Sequence, residues 1–313
     1  MAPSKHRRLQ AAVLGGAGFI GSHIVDALVA RGHHVTVFDR APERFRAPLD
    51  NVDYIYGDFS DLTALAAVLR GKDAVFHLVS TTFPGTANRD PRADVSSNLL
   101  GTLALIEEMQ RQDIKRLIYL SSGGTVYGPL PDHPVAETHP LRPINSYGIV
   151  KATVEHYLSM YHALGALDPL AIRAANPFGP RQSHTGVQGV VATFMRQLID
   201  GQSIEIWGDG HVIRDYLYIS DLADLCVTAA ESDLCGALNA GSGQGTSLLQ
   251  LIAALAEITD QEILPTFKPT RSVDVPYSVL DVEKAKSVLN WTPATSLKEG
   301  LGKTWAWMNT LSP

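Results

Sequence analysis

Cysteine is scarce in this chain, since only Cys226 and Cys235 occur among its 313 residues. Two cysteines cannot build a disulfide framework or a four-ligand zinc site, so the sequence predicts a protein that holds no metal. Long hydrophobic runs are lacking too: no stretch approaches the roughly twenty apolar residues of a membrane helix. Residues 1–5 also lack the apolar segment of a secretory signal. We therefore expect a cytoplasmic protein with no membrane partner.

Basic residues are not in excess. The chain carries 26 Lys and Arg against 32 Asp and Glu, a formal net charge of −6. Because binding to a phosphate backbone requires a basic surface, this balance disfavours a nucleic-acid partner. Apolar residues amount to 45% and charged residues to 19%, which is enough for a large buried core. The length fits one large domain or two fused ones.

Short β-branched runs alternate with amphipathic stretches through the first half of the chain. The predicted strands span residues 11–14, 35–39, 52–56, 74–79, 117–122 and 171–175, and the predicted helices span residues 22–31, 62–69, 95–111 and 146–163. This alternation predicts an α/β fold with a doubly wound parallel sheet. After Asn176 the elements become shorter and Gly and Pro accumulate. We therefore predict a first domain over residues 9–175 and a smaller C-terminal α/β lobe over residues 176–313.

The segment between the first predicted strand and the first predicted helix reads GGAGFIG, residues 15–21. Its spacing satisfies GxxGxxG through Gly15, Gly18 and Gly21. Only glycine lets a backbone turn this tightly, approach a pyrophosphate and then pack a helix against the sheet. The N-terminus of that helix supplies unpaired N–H groups for the anion. A structural turn is the alternative, but the position between strand and helix favours a Rossmann-type dinucleotide loop.

A carboxylate, Asp39, ends the second predicted strand. It can accept hydrogen bonds from the adenosine ribose and repel a 2′-phosphate, which favours NAD over NADP. The adjacent Arg40 weakens that inference, because a guanidinium could hold the phosphate. Asp58, followed by Phe59, comes after the third predicted strand, where a carboxylate can reach the adenine amino group. The alternative there is a helix N-cap by Asp58 or Ser60.

Tyr147 and Lys151 are spaced i, i+4 on a predicted helix, so their side chains project from one face. A tyrosine is a poor base at neutral pH because its pKa lies near 10. An ammonium one turn away and the positive charge of an oxidised nicotinamide favour the phenolate. Such a phenolate can take a proton from a sugar hydroxyl while the cofactor accepts hydride from the adjacent carbon. An ordinary pair on a helix surface is the alternative.

The order of the motifs resembles that of a known family. In chain order the matching residues are GGAGFIG at 15–21, Asp39, Gly57 and Asp58, Asn98, SSGGTVYG at 121–128, YGIVK at 147–151, and Arg214, Asp215 and Tyr216. As a set they resemble the extended short-chain dehydrogenase/reductases. Within these they are most similar to the NAD-dependent nucleotide-sugar epimerase/dehydratase group, in particular the UDP-glucose 4-epimerases. The likeness runs from about residue 11 to about residue 310.

The resemblance implies roles that the spacing does not assign. Tyr147 would be the acid/base, and Lys151 would also hold the nicotinamide ribose. Besides these two, the residues implied in cofactor binding are Gly15, Gly18, Phe19, Ile20, Gly21, Asp39, Arg40, Asp58, Phe59, Leu78, Val79, Ser80 and Asn98. The residues implied in substrate binding are Thr125, Tyr147, Asn176, Trp207, Arg214, Arg271 and Ser278. For Trp207, a place in the core of the lobe is the alternative.

The chain departs from the family pattern near the chemistry. The family usually has Ser or Thr where this chain has Gly123. Thr125 and Ser122 are the nearest hydroxyls that could bond the reacting group, and Thr125 is preferred. A second difference concerns sugar size, because Ser278 stands where some members carry a bulky aromatic. A small residue there would admit a 2-acetamido group, whereas a shift of one residue would place Tyr277 there instead.

The resemblance implies an NAD-dependent epimerase that inverts C4 of a UDP-hexose or a UDP-N-acetylhexosamine through a 4-keto intermediate. The alternatives are an NAD(P)-dependent reductase of nucleotide 4-keto-sugars and a non-catalytic dinucleotide sensor, although sensors typically lose the tyrosine–lysine pair. Dehydratase and decarboxylase chemistry is disfavoured, because residues 123–125 offer no carboxyl group.

The resemblance also bears on assembly and topology. It implies that the chain returns to the first domain near residues 214–241. It further implies a homodimer, in which the helices predicted at 95–111 and 146–163 pair with those of a second copy. The apolar outer faces expected for these helices carry Leu99, Leu103 and Ile106, and Val154, Leu158 and Tyr161.

Overall fold

The computed structural model describes residues 8–183, 189–269 and 275–311. They divide into two compact units, each of which is described by itself. The first unit consists of the residues up to Ser122, Asn145–Arg173 and Ala223–Leu238. The second unit consists of Gly123–Ile144, Ala174–Leu222 and the residues from Asn239 onward. Residues 123–144, expected in the first domain, thus lie in the second unit, whereas residues 223–238 lie in the first.

The elements have the following bounds. The strands are β1 (Gln10–Leu14), β2 (His34–Asp39), β3 (Val52–Tyr56), β4 (Ala74–His77), β5 (Arg116–Ser122), β6 (Asp168–Ala174), β7 (Asn176–Phe178), β8 (Glu205–Trp207), β9 (Ile213–Tyr218), β10 (Gly236–Ala240), β11 (Gly245–Ser247), β12 (Thr266–Lys268) and β13 (Tyr277–Ser278). The α-helices are α1 (Phe19–Ala30), α2 (Leu62–Leu69), α3 (Pro91–Asp94), α4 (Gly101–Arg111), α5 (Ser146–Ala163), α6 (Val190–Ile199), α7 (Ile219–Ala230), α8 (Leu248–Thr259), α9 (Glu283–Leu289) and α10 (Leu297–Met308).

A seven-stranded sheet with the order β10-β6-β5-β4-β1-β2-β3 forms the centre of the first unit. Strand β1 pairs in parallel with β2 and β4, and the pairs β2–β3 and β4–β5 are parallel as well. The strand order reverses at β1 and β4, as in a doubly wound sheet. The predicted α/β Rossmann fold is therefore confirmed. The carboxyl ends of β1, β2 and β4, where dinucleotides bind in such sheets, carry the glycine loop, Asp39 and residues 78–80.

The long helix predicted at 95–111 is not continuous. It begins earlier, at Pro91, because the Asp90 side chain caps the Ala93 N–H and a proline suits the first helical position. A π-helical segment, Val95–Leu100, then separates α3 from α4. Such π turns are rare and are frequently found at functional sites.

The core of the first unit corrects the expected dimer faces. Ile106, Val154 and Leu158 are at most 2% exposed and belong to this core, not to an outer face. Leu99 and Tyr161 are partly buried against it. The outward stripe lies elsewhere on these helices, because each residue turns an α-helix by about 100°. The exposed apolar side chains there are Val95, Leu100, Ile149 and Met160.

Two small sheets form the second unit. Strand β9 pairs antiparallel with β11 and parallel with β13 and β7. In this register Arg214 faces Ser278, and Asn176 faces Tyr216. Three of the residues implied in substrate binding therefore lie on neighbouring strands. Strands β8 and β12 form a separate two-stranded ribbon, which ends at Trp207.

Among the residues that the structure describes, every helix is too short or too polar to cross a bilayer.

Candidate active site

The glycine loop has a backbone conformation that requires glycine at Gly15 and at Gly21. Gly15 adopts φ +85°, in the left-handed region, and its N–H donates to the Phe38 carbonyl at 2.8 Å. A Cβ at Gly21 would come within 2.1 Å of the Gly15 carbonyl oxygen. Helix α1 begins at Phe19, directly after Gly18, without a side-chain cap. The N–H groups of its first turn, including that of Ile20, thus fit a pyrophosphate.

The carboxylate of Asp39 lies against this loop. Its Oδ2 accepts a hydrogen bond from the Ala17 N–H at 3.1 Å, and its Oδ1 accepts one from Ala41 at 3.3 Å. The position suits recognition of ribose hydroxyls at the end of β2. Val79 lies close by, since its backbone nitrogen is 3.3 Å from where a Cβ of Gly15 would stand. These residues fit the adenosine and pyrophosphate of a dinucleotide.

Asp58 does not cap a helix, and neither does Ser60. The N-cap of α2 is Asp61, whose carboxylate accepts from the N–H groups of Thr63 and Ala64, so the capping alternative is wrong. Instead, hydrogen bonds from the Ser60 hydroxyl and N–H lower the pKa of Asp58, assisted by the exposed Arg40. The carboxylate therefore stays charged at the edge of the predicted adenine site.

The aromatic ring of Phe59 has a packing role. It stacks on the His77 ring at 5.0 Å, and it fills the space in which a Cβ at Gly101 would stand. The segment after β4 begins with Leu78. Within it, the Ser80 hydroxyl donates to the Thr82 carbonyl at 3.0 Å, which fixes the local conformation. The contacts of Phe59, Leu78 and Ser80 with a cofactor remain predictions.

Tyr147 and Lys151 lie together at the start of α5. The Asn145 side chain caps this helix by accepting from the Gly148 N–H at 2.8 Å. The Lys151 Nζ is 5.6 Å from the Tyr147 ring centroid and donates to the Leu120 carbonyl at 2.7 Å. The Lys151 side chain is therefore fixed in the interior, at 5% exposure, rather than on a helix surface.

The ionisation of the pair differs from the sequence expectation. Burial, followed by the charge of Asp94, raises the pKa of Tyr147 to about 12, while a hydrogen bond from Ser122 acts in the opposite sense. Burial lowers the pKa of Lys151 to about 8, against the charges of Glu155 and Asp94. The expected lowering of the tyrosine pKa by its lysine neighbour is therefore not seen, because desolvation of the phenol is the largest influence and raises the pKa.

A buried ion pair lies one helical turn beyond the lysine, and no sequence motif indicates it. Glu155, one turn after Lys151, accepts hydrogen bonds from Ser121 and from Arg173, whose Nη2 is 2.6 Å from Oε2. Both side chains of the pair are less than a tenth exposed. These contacts join α5 to β5 and β6, so they fix the position of α5, and with it Lys151, against the sheet.

The two candidate hydroxyls lie in different units. Ser122 hydrogen-bonds Tyr147 within the first unit. Thr125 belongs to the second unit, and its Oγ1 is buried without a hydrogen-bond partner among the described residues. Ser122 is thus the candidate hydroxyl beside the tyrosine, while the preference for Thr125 as the group that bonds the reacting sugar hydroxyl stays a prediction.

The strands of the second unit place the residues implied in substrate binding. The Asn176 side chain donates to the Asp215 carbonyl at 3.0 Å, and Arg214 Nη1 donates to the Val275 carbonyl at 2.7 Å. Ser278, opposite Arg214 in the sheet, is 5% exposed. Trp207 is 40% exposed, so the core alternative for this residue is wrong. Arg271 lies outside the described residues.

Asp215 organises this part of the second unit. It is fully buried, and its carboxylate accepts hydrogen bonds from the N–H and hydroxyl of Ser242 and from the N–H groups of Gly243 and Leu280. These contacts tie β9 to the chain beyond β10 and β13. Sequence reasoning placed Asp215 only within a motif, because its partners lie 27 to 65 residues away.

Three possible metal ligands meet elsewhere on the first unit. One ligand atom each of His162, Asp168 and Cys235 lies within 4.8 Å of the others. The guanidinium of Arg116 is 3.9 Å from the Cys235 sulfur, and burial raises the pKa of the thiol. Both features oppose binding of a cation. The expectation of a protein without a metal stays a prediction.

Residues 11–241 match the NAD dependent epimerase/dehydratase family. The chain is 37% identical over 301 residues to the UDP-glucose 4-epimerase of Mycolicibacterium smegmatis, covering 93% of this chain and 96% of that protein. It is similar, with a TM-score of 0.91 and 36% identity, to the UDP-glucose 4-epimerase of Thermotoga maritima with UDP-glucose, covering 96% of this chain and 98% of that one.

A second solved structure is equally similar in fold. It is the UDP-N-acetylglucosamine 4-epimerase of Methanobrevibacter ruminantium in complex with UDP-N-acetylmuramic acid, with a TM-score of 0.91 and 30% identity, covering 97% of this chain and 99% of that one. The resemblance found in the motifs is thereby confirmed. This chain belongs to the NAD dependent epimerase/dehydratase family of the extended short-chain dehydrogenase/reductases, and its cofactor is NAD.

Proposed function

We propose that this enzyme is a 4-epimerase of UDP-hexoses, which inverts C4 of the sugar through a 4-keto intermediate. One observation carries the proposal: the Lys151 Nζ, held by the Leu120 carbonyl at 2.7 Å, lies 5.6 Å from the centroid of the Tyr147 ring at the start of α5. Relatives that match almost the whole chain, named as UDP-glucose and UDP-N-acetylglucosamine 4-epimerases, support the substrate class.

The chain's own residues supply the proton chemistry. NAD, when bound, accepts hydride from C4 and returns it. Tyr147 takes the proton from O4 as that carbon is oxidised and gives a proton back to the same oxygen after the keto sugar has turned over. Lys151 provides the positive charge that favours the phenolate, and its bond to the Leu120 carbonyl fixes where that charge lies. We assign the hydroxyl that bonds the reacting sugar oxygen to Ser122, which lies beside the phenol, with Thr125 as the alternative.

The second unit supplies the contacts proposed for the nucleotide. Arg214 and Asn176 are placed on adjacent strands and suit an anionic diphosphate, since a guanidinium fork binds such oxygens well. The exposed Trp207 suits a uracil base. Ser278 is small, and we propose that it admits a 2-acetamido group, so that UDP-N-acetylhexosamines are substrates too. A relative named for that substrate supports this point.

We also propose that the enzyme is a homodimer. The exposed stripe on α5 carries Ile149 and Met160, which are 51% and 43% exposed, and the neighbouring helical segment exposes Val95 and Leu100. Apolar side chains grouped on adjacent helices are typical of an interface. Sedimentation at micromolar concentration should give the mass of a dimer, and Ile149→Asp should shift it to a monomer. The cytoplasmic location and the absence of a nucleic-acid partner remain predictions.

The experiment that tests the proposed activity uses purified protein without added cofactor. UDP-glucose, UDP-galactose, UDP-N-acetylglucosamine and UDP-N-acetylgalactosamine are incubated separately, and NMR follows the C4 epimers. We expect interconversion sustained by NAD that is already bound. Tyr147→Phe should retain NAD but lose at least about 10²-fold in turnover, the usual scale for an acid/base. Stoichiometric consumption of added NADH without interconversion would instead indicate a keto-sugar reductase.

A further inference from the structure

Asp94 is a carboxylate with no exposure to solvent. Its Oδ1 accepts from the Thr82 hydroxyl at 2.7 Å and from the Asn98 side-chain amide at 2.8 Å, and its Oδ2 accepts from the Ser146 hydroxyl at 2.6 Å. These three donors are neutral. Burying a carboxylate without a bonded cation is costly, even when its oxygens are hydrogen-bonded. Packing alone does not explain a charge at this position.

The three donors come from three segments that carry predicted site residues. Thr82 closely follows residues 78–80, the segment after β4 that is predicted to line the cofactor. Asn98 lies in the π-helical segment, and its Oδ1 accepts from the Thr81 N–H at 2.9 Å. Ser146 is the first residue of α5 and directly precedes Tyr147. Asp94 therefore joins the start of the catalytic helix to both neighbouring segments.

The backbone changes from α-helix to π-helix directly after Asp94, and this change positions a side chain that bonds the carboxylate. Asp94 ends α3, and the next residue begins the π turn. A π turn places more residues in each turn than an α-helix does, so the side chain four positions on is displaced around the axis. Asn98 occupies that position and reaches both Asp94 and Thr81. Its side-chain amide thus donates to the Asp94 carboxylate on one side and accepts from Thr81, the residue after the predicted cofactor-lining segment, on the other.

The charge of Asp94 acts on both members of the catalytic pair. It raises the pKa of Tyr147 and also that of Lys151, where it offsets part of the lowering by burial. Glu155, which is paired with Arg173, also raises the pKa of Lys151 and does so more than Asp94. Tyr119 on β5 faces the pair as well, with its ring 4.6 Å from the Lys151 Nζ.

His77 on β4 is the remaining ionisable neighbour. Its pKa is lowered to about 3, first by burial and then by Lys151, so it is neutral at physiological pH. Tyr119 is neutral as well, because burial raises its pKa well above the ordinary value. Asp94 is therefore the unpaired negative charge among the described neighbours of the pair.

We propose that Asp94 is a positioning residue, whose carboxylate anchors the start of α5 and keeps a negative charge beside the Tyr147–Lys151 pair. Together with Glu155, the charge keeps Lys151 protonated despite its burial, and together with burial it raises the pH at which Tyr147 loses its proton. This inference rests on the proposed role of Tyr147 as the acid/base.

The test compares Asp94→Asn with Ser146→Ala. The first variant removes the charge in a side chain of the same shape, and the second removes one anchoring bond but keeps the charge. For each, kcat/KM for UDP-glucose is measured from pH 5.5 to 10. Asp94→Asn should move both limbs of the profile to lower pH by about one unit, the usual effect of a close charge. Ser146→Ala should leave the limbs in place and lower kcat by roughly three- to tenfold.

A second readout does not depend on activity. The ¹³Cζ resonance of Tyr147 in labelled enzyme, assigned by its loss in Tyr147→Phe, reports the ionisation of the phenol directly. It should titrate at lower pH in Asp94→Asn than in the wild type. If the wild type proves inactive on every UDP-sugar, the proposed function fails, and this titration still decides the role of Asp94.

Coincident pH profiles and coincident titrations of Asp94→Asn and the wild type would overturn the charge role. Unchanged kcat in Ser146→Ala would overturn the anchoring role. Should Asp94→Asn not fold, Asp94→Ser replaces it as a smaller neutral variant with the same expected shifts. Failure of both to fold, together with wild-type kinetics of Ser146→Ala, would mean that the carboxylate serves stability alone and would reject the proposal.

Discussion

Glu155→Gln should destabilise the first unit strongly. The Glu155–Arg173 pair is less than a tenth exposed on both sides, and its closest contact is 2.6 Å. Removing the carboxylate charge leaves a buried guanidinium without its counter-ion, and breaking such a pair costs about 3–5 kcal/mol. At roughly 2–4 °C per kcal/mol for a chain of a few hundred residues, the melting temperature should fall by at least about 6 °C.

The assay is thermal unfolding followed by circular dichroism at saturating NAD. Two further variants make the result specific. Replacing both partners, Glu155→Gln with Arg173→Met, should recover much of the loss, because no charge is then left unpaired. Glu107→Gln removes a carboxylate from an exposed pair with Arg111 and should leave the melting temperature unchanged, since exposed pairs contribute little.

A second effect of Glu155→Gln concerns Lys151. The Glu155 charge raises the pKa of Lys151, which burial has lowered to about 8. Without that charge the lysine should lose its proton at lower pH, so the alkaline limb of activity should move downward. The reasoning would be refuted if Glu155→Gln melted within 2 °C of the wild type, or if the double variant were less stable than Glu155→Gln alone.

Two further predictions concern the cofactor loop and the sugar. Gly21→Ala should abolish co-purification of NAD, since the added Cβ would lie 2.1 Å from the Gly15 carbonyl oxygen. The control is Gly302→Ala, where the added Cβ meets open space and the enzyme should keep its full complement of NAD. Absorbance and mass spectrometry of the purified proteins measure the bound cofactor. Ser278→Tyr should selectively lower kcat/KM for UDP-N-acetylglucosamine relative to UDP-glucose. If Tyr277→Ser altered that ratio instead, the residue that limits sugar size would be Tyr277.

Much of the first unit follows from local sequence patterns. Strand β3 and helices α2 and α5 have the bounds that their periodicity predicts, because β-branched runs and amphipathic repeats act over a few residues. The N-cap of α2 is Asp61, directly before the helix, whereas the sequence indicates Asp58 or Ser60 as the possible cap. The glycine loop is predictable from sequence, because its conformation requires glycine at fixed positions such as Gly15 and Gly21.

Other features depend on partners far away in the chain. The π turn follows Asp94, whose carboxylate accepts hydrogen bonds from Ser146 and Thr82. No local sequence pattern indicates this turn or these bonds. The Glu155–Arg173 pair joins residues 18 positions apart on different elements. The direction of the Tyr147 pKa shift was missed for the same reason. Spacing places the ammonium near the phenol, but only the three-dimensional surroundings give the desolvation that raises the pKa of the phenol.

The π-helical segment accommodates an extra residue between Pro91 and Arg111. Deleting one residue from Val95–Leu100 would let this turn relax to ordinary α-helix, so that Leu105, Ile106 and Met109 would stay buried after it. The loss would instead fall on Asn98, whose bonds to Asp94 and Thr81 need the wider turn. A single missing codon here would therefore spare the core and disrupt the bonds around the buried carboxylate.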